Sequence, residues 1–254
     1  MATMDAEMVT PVYSVLTREG VDLQLSNGVD HFESAPDGSI IVMSEKRQRF
    51  PADLVIMSVG VKPEVKLAQE SGLEIGAAGG IRVDDGMRTS DPFIWAVGDA
   101  IEVKDPVTGQ MKLIPLAGPA NRQARIAADV ICGRDSTYRG TQGTAVVGLF
   151  DLTLALTGAS EKTLQGAEIP YEKSYTHSLD HAGYYPGAQM MSIKLLYAPD
   201  TGRLLGAQAV GGSGVEKRID VISMGIQKEA TVYDLEEAEL CYAPQFGSAK
   251  DPVN

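Results

Sequence analysis

The chain has 254 residues, of which 44% are hydrophobic and 22% charged, and its formal net charge is −12. A length of this order holds one or two domains with a sizeable core, and so acidic a balance lacks the basic face that nucleic-acid binding needs. No apolar run approaches the roughly 20 residues that span a bilayer, and no charged-then-apolar leader opens the sequence.

Asp5 to Thr17 reads as a short helix ended by Gly20. Val21–Leu25, Val29–Phe32 and Ser39–Met43 read as strands, the last two joined by the turn residues Pro36-Asp37-Gly38. Leu54–Val59 is a continuous apolar strand closed by Gly60-Val61-Lys62-Pro63, and Val65–Ser71 has a helical pattern. Phe93-Ile94-Trp95-Ala96-Val97 has the length of a buried strand and stops abruptly at Gly98-Asp99. In open α/β sheets ligands bind beyond the carboxyl ends of strands, where a glycine admits close approach and an aspartate accepts hydrogen bonds from hydroxyls. A helix follows from about Pro119 to Ile131, with Gly133 as its natural C′ residue. Cys132 falls at that helix's C-terminal end, where the dipole disfavours a thiolate; with Cys241 as its only companion it forms no disulfide framework, which fits a reducing, cytoplasmic setting.

From Thr144 the signals turn antiparallel. Val146–Thr157, Ser192–Tyr197 and Leu204–Val210 read as strands, with Asp200-Thr-Gly202 as a hairpin turn between the last two. Val215–Lys228 is an amphipathic helix with Val215, Ile219, Ile222 and Ile226 on one face, and Asp234–Leu240 reads as another helix. The chain therefore reads as α/β followed by α+β. His31, His177 and His181 are scattered, so no metal site is expected, and Gly212-Ser-Gly214 is a tight turn into a helix rather than a phosphate loop.

Four stretches, in one order, carry a family resemblance. They are Ala52-Asp-Leu-Val-Ile-Met-Ser-Val-Gly-Val-Lys-Pro63, Thr89 to Asp99, Pro115-Leu-Ala-Gly-Pro-Ala-Asn-Arg-Gln-Ala-Arg125, and the pair His181-Ala-Gly-Tyr-Tyr-Pro-Gly187 with Cys241-Tyr-Ala-Pro-Gln-Phe-Gly-Ser-Ala-Lys-Asp-Pro252. Together they resemble the FAD-dependent pyridine nucleotide-disulfide oxidoreductases, in the group of coenzyme A-disulfide reductase, NADH oxidase and NADH peroxidase. The resemblance implies partial Rossmann-like FAD- and NAD(P)-binding domains and a C-terminal antiparallel-sheet dimerisation domain, divided at 1–78, 79–147 and 148–254. It also marks what is missing. The family's two glycine-rich turns and its redox cysteine match nothing in this chain, which is expected to be the C-terminal portion of a longer enzyme.

By the same resemblance, Thr89, Gly98 and Asp99 form the flavin signature, with Asp99 on the ribityl chain. Ala117 and Ala120 sit where the flavin ring approaches a helix start. Gly60 and Val61 lie near bound NAD(P)H. Asn121 and Lys250 match positions that meet the substrate. Tyr184 and Tyr242 resemble a pair presented to the partner subunit's active site, with Tyr185 the alternative to Tyr184. A phenol there can donate a proton to a leaving thiolate while neutral. Many relatives carry a further tyrosine where this chain has Phe246. The implied function is transfer of electrons from NAD(P)H through FAD and a redox cysteine to a disulfide such as coenzyme A disulfide, to peroxide or to oxygen, by a homodimer. The alternative is a non-catalytic dimerisation module that binds no flavin.

Overall fold

The computed structural model describes residues 3–254. They divide into two units, residues 13–62 and the remainder, with the boundary inside helix α1 (Thr10–Arg18). The smaller unit is an antiparallel sheet in the order β1-β2-β3, with β1 at Val29–Ser34, β2 at Ile40–Ser44 and β3 at Arg49–Ala52. The expected β1–β2 turn forms, and Asp37 Oδ1 accepts a hydrogen bond from Ser39 N at 3.0 Å. Strand β3 went unpredicted because its sequence, Arg-Phe-Pro-Ala, alternates weakly.

Two expected strands are absent. Val21–Leu25 and Leu54–Val59 belong to no sheet, and Leu54, Ile56 and Val59 are 76%, 81% and 83% exposed. Apolar composition marks a candidate strand, but a strand exists only where a neighbour pairs with its backbone. No described segment does so here.

In the larger unit a 3₁₀ turn (Ala6–Val9) leads into α1, and the short helix α2 spans Lys66–Glu70. The expected strand at Phe93–Val97 shrinks to a single bridge between Arg88 and Trp95. Turn chemistry overrides the apolar run. Asp91 Oδ1 accepts from Phe93 N at 2.8 Å, which places Phe93 on a corner where it is 86% exposed. A two-residue hairpin, β4 (Val103–Lys104) with β5 (Met111–Lys112), precedes α3 (Ala117–Ile131), which begins two residues before the expected Pro119. Met87, Ile101, Val103, Ala127 and Tyr138 form the core beneath α3.

The remainder is a five-stranded antiparallel sheet in the order β6-β7-β10-β9-β8. Its strands are β6 (Ala145–Leu149), β7 (Leu152–Gly158), β8 (Glu172–Leu179), β9 (Met190–Tyr197) and β10 (Leu204–Gly211). Helix α4 (Glu161–Gly166) follows β7, while α5 (Val215–Gln227) and α6 (Val232–Glu236) follow β10. The expected single strand at Val146–Thr157 is in fact the β6–β7 hairpin. It turns at Phe150-Asp151, and Phe150 takes the left-handed φ of +53° that a glycine would have advertised. Every residue of β10 is buried, and its small side chains let α5 lie across β10 and β7. Val215, Ile219, Ile222 and Ile226 are the buried face of α5, as their spacing predicts. Each contributes about 1.5–3 kcal/mol of burial. Helix α6 starts two residues before the expected Asp234, because Thr231 and Asp234 form a capping box.

Candidate functional site

Two groups of predicted residues are brought together by this fold. The first is the turn at Gly98–Ala100 facing the start of α3. Gly98 adopts a φ of +80°, a conformation open to glycine at no steric cost, and a Cβ placed there meets the Ala120 methyl at 3.8 Å. The turn is anchored from beneath. Gly98 N donates to Gln123 Oε1 at 2.8 Å, and the other end of that amide, Gln123 Nε2, donates to Tyr138 Oη at 3.1 Å. Gln123 is 1% exposed, so the turn is tied to the middle of a helix rather than to another loop. Sequence reasoning missed it; a glutamine on the buried face of an amphipathic helix was the available signal.

Asp99 projects from this turn into solvent, and no described residue hydrogen-bonds its carboxylate. Ala117 and Gly118 open α3 and leave their N–H groups at the helix start, whereas Pro119 has none and Ala120 N donates to Leu116 O at 3.2 Å. An unpaired carboxylate beside such an end fits a ligand that offers hydroxyls to one and electron-rich atoms to the other. Thr89 lies earlier on the same segment. Its hydroxyl donates to Asp91 O at 3.2 Å and Ile94 O at 3.0 Å, which shapes the segment leading to Gly98. Asn121 is exposed on the first turns of α3.

The second group lies at one end of the large sheet. Tyr184 stands in the loop between β8 and β9, and Tyr242 in the chain after α6; the two hydroxyl oxygens are 3.0 Å apart across 58 residues of sequence. Both rings face water, Tyr184 at 77% and Tyr242 at 49% exposure. The Tyr184 hydroxyl, ahead of burial, pushes the Tyr242 phenol above its ordinary value of 10.0. Tyr185 turns away into an edge-to-face contact with His181, centroids 5.9 Å apart, and His181 Nδ1 lies 2.8 Å from the buried Asp180 carboxylate. The two loops are stitched directly: Ala182 N donates to Pro244 O at 3.2 Å and to Gly247 O at 3.0 Å. Phe246 and Lys250 are exposed on the same C-terminal segment.

Gly60 and Val61 lie in the smaller unit and are exposed. Cys132 and Cys241 are free, exposed thiols. Among the described residues, one trio of carboxylates has metal-ligand proximity, Asp5, Glu7 and Glu161. The cation among them is Lys194, 0% exposed, whose Nζ donates to Asp5 Oδ2 at 2.7 Å and also to Glu7 and Glu161. No helix among the described residues is long and apolar enough to cross a membrane.

Comparison with known proteins shows what the chain as a whole is similar to. The sequence profile of pyridine nucleotide-disulphide oxidoreductases matches residues 1–124, and that of the same enzymes' dimerisation domain matches residues 144–251. An NADH oxidase of Methanocaldococcus jannaschii is 33% identical over 251 residues, covering 99% of this chain and 55% of that protein. A coenzyme A disulfide reductase of Staphylococcus aureus is 32% identical over 252 residues, covering 99% of this chain and 56% of that protein. Among solved structures, reduced Bacillus anthracis CoADR-RHD superposes with a TM-score of 0.95 at 46% identity, over 100% of this chain and 45% of the other. A NAD-dependent persulfide reductase from A. fulgidus gives a TM-score of 0.95 at 37% identity, over 99% of this chain and 46% of the other. The chain thus spans about half the length of the curated relatives it matches.

Proposed function

The chain belongs to the pyridine nucleotide-disulphide oxidoreductase family, in the group of coenzyme A disulfide reductases and NADH oxidases, and from that premise we propose that it supplies the ribityl contact, the substrate-side tyrosines and the dimer interface of an enzyme that moves electrons from NAD(P)H through FAD to a small disulfide. The part before residue 144 is partial nucleotide-binding structure and the part after it a dimerisation domain built on the five-stranded antiparallel sheet. Our assignment divides the chain into NAD(P)-binding structure at 1–78, FAD-binding structure at 79–147 and dimerisation structure at 148–254, with a second copy as the partner.

The family binds FAD and NAD(P)H. Bound FAD supplies hydride acceptance. In this reading Asp99 accepts hydrogen bonds from the ribityl hydroxyls, and Gly98 lets the backbone approach. The start of α3 stabilises negative charge near the N–H groups of Ala117 and Gly118, with the small Ala117 and Ala120 side chains admitting the ring. Gly60 and Val61 border the nicotinamide nucleotide. Asn121 and Lys250 meet the substrate, Lys250 as a cation for an anionic group.

The observation that carries the reading is the pair of tyrosine hydroxyls 3.0 Å apart and open to solvent. Either hydroxyl can donate to the other, and in our reading Tyr242 donates to Tyr184. That leaves the Tyr184 proton free to be donated outward, where a disulfide gaining two electrons releases two thiolates, one of which takes it up. Disulfide is taken as the acceptor on likeness to the coenzyme A disulfide reductases; oxygen and peroxide, whose reduction also takes up protons, are outcomes of the same turnover assay. The test uses the complete enzyme, purified with flavin. Tyr184→Phe is expected to lower coenzyme A disulfide turnover 10²–10⁴-fold, the usual order for a lost general acid, at unchanged flavin content. Asp99→Ala is expected to lower the flavin-to-protein ratio. Parent-like turnover in Tyr184→Phe refutes the role of the tyrosine pair, and a colourless, inactive parent refutes the whole reading and leaves a dimerisation module.

A further inference from the structure

We propose that Arg218 is the positioning residue for the tyrosine pair: one buried guanidinium clamps the loop that carries Tyr184 to the segment that carries Tyr242. Arg218 lies on α5, among the buried residues of that helix, and is 1% exposed. Its Nε donates to Asp251 Oδ1 at 3.1 Å, and its Nη2 donates to Asp251 Oδ2 at 2.8 Å, the two-pronged geometry in which arginine binds carboxylate. The same Nη2 donates to Asp180 O at 2.8 Å, and Nη1 to Gly214 O at 3.1 Å. Three segments distant in sequence therefore meet on one side chain.

The contacts to Asp180 and Asp251 each bear on a tyrosine. Asp180 opens the loop that reaches Tyr184, four residues on, and its carboxylate accepts from Gln189 N at 3.0 Å, closing the loop's other end. Asp251 ends the segment that begins at Tyr242. Gly247, whose carbonyl takes the Ala182 N–H, lies against the clamp: a Cβ on it falls 3.6 Å from both Arg218 Nη2 and Asp251 Oδ2. The guanidinium sits under the stitch between the two loops. The tyrosine rings, exposed as they are, have little packing of their own to hold them, so the 3.0 Å hydroxyl contact is inherited from this buried anchor. Lysine cannot substitute: a single ammonium lacks the planar fork that reaches a carboxylate and two carbonyls at once.

The importance of the pair for turnover rests on the function proposed above; its positioning does not. The test therefore reads the hydroxyl contact directly. The full 254-residue chain, labelled with ¹³C at the tyrosine ζ carbon, is titrated by NMR through the ordinary tyrosine range, about pH 8 to 12. Tyr242→Phe assigns the signal. The parent is expected to titrate Tyr242 above the ordinary value, and Tyr184→Phe to abolish that elevation. Arg218→Lys is expected to abolish it as well, while the raised Tyr171, held by Glu161 on α4, keeps its own elevation as an internal control of fold. Asp251→Asn, which keeps the shape of the acceptor, is expected to lose part of it. A folded Arg218→Lys in which Tyr242 titrates as in the parent overturns the proposal. So does loss of fold in both variants, which assigns Arg218 to the domain as a whole. Failure of the proposed reaction, by contrast, appears only in the turnover of the complete enzyme.

Discussion

Replacing Lys194 by Met removes a buried charge while keeping the volume of its chain. In the parent, Lys194 Nζ serves Asp5, Glu7 and Glu161, whose side chains are 8%, 46% and 15% exposed. Breaking a buried pair by deleting one partner costs about 3–5 kcal/mol, and the half-exposed Glu7 adds no more than about 0.5 kcal/mol. Lys173, 3.0 Å from Glu161, compensates in part, so we expect a loss of about 3 kcal/mol at neutral pH.

The loss should depend on pH, because burial pushes the Glu161 carboxyl up while hydrogen bonds from Lys194, Tyr171 and Lys173 outweigh it and bring it from 4.5 to about 2. A folded-state pKa below the ordinary one gives stability that is complete above pH 4.5 and fades as the pH falls through about 2. At full strength that shift is worth about 3.4 kcal/mol, and water beside Glu161 cuts it to roughly 1–2 kcal/mol. Tyr171 and Lys173 keep part of that shift in Lys194→Met, so the gap between parent and variant should narrow in acid by at most that amount. Urea unfolding at both pH values measures the gap. Hydrogen exchange at Met8 and Val9, whose 3₁₀ turn contains Glu7, reports whether the N-terminal segment loosens first. A variant within about 1 kcal/mol of the parent at neutral pH, or a gap that acid leaves unchanged, refutes the reasoning.

Two other substitutions probe the supports of the site. Gln123→Leu leaves the Gly98 N–H and the Tyr138 hydroxyl without partners, for an expected cost of about 2–3 kcal/mol in thermal unfolding and faster exchange of the Gly98 amide; exchange equal to the parent's denies Gln123 its anchoring role. Gly214→Ala puts a Cβ 2.4 Å from Arg218 Nη1 at a φ of +68°. Urea titration should register a loss of about 1–3 kcal/mol, and a neutral result shows that the guanidinium yields easily.

The antiparallel half of the fold was largely readable. Strands β9 and β10 and helix α5 declare themselves by composition and by the spacing of Val215, Ile219, Ile222 and Ile226. Strand β8, Glu-Lys-Ser-Tyr-Thr-His-Ser-Leu, did not, because an edge strand with most of its residues facing water shows little apolar alternation. Leu54–Val59 misled in the opposite sense: its composition was right, but pairing depends on a neighbour that composition cannot report. At the site, Asp99 and the two tyrosines came from resemblance to family motifs, since nothing local links residues 184 and 242. Their supports stood in plain sight as charged or amide groups inside apolar patterns: Arg218 among the core residues of α5, Lys194 between Ile193 and Leu195, and Gln123 on the buried side of α3. Periodicity reads such residues as interruptions, whereas burial turns each into the hub of a hydrogen-bond network.

The uncovered run at Leu54–Val59 also governs how the protein behaves in a tube. Its open Leu54, Ile56 and Val59 side chains are a sticky strip for another molecule. What keeps molecules apart is their common charge of −12, a long-range repulsion that salt shortens to about 10 Å at 0.1 M. Colloidal stability is then a contest between a short sticky strip and a screened acidic surface. Dilute buffer favours the surface, and added salt hands the outcome to the strip.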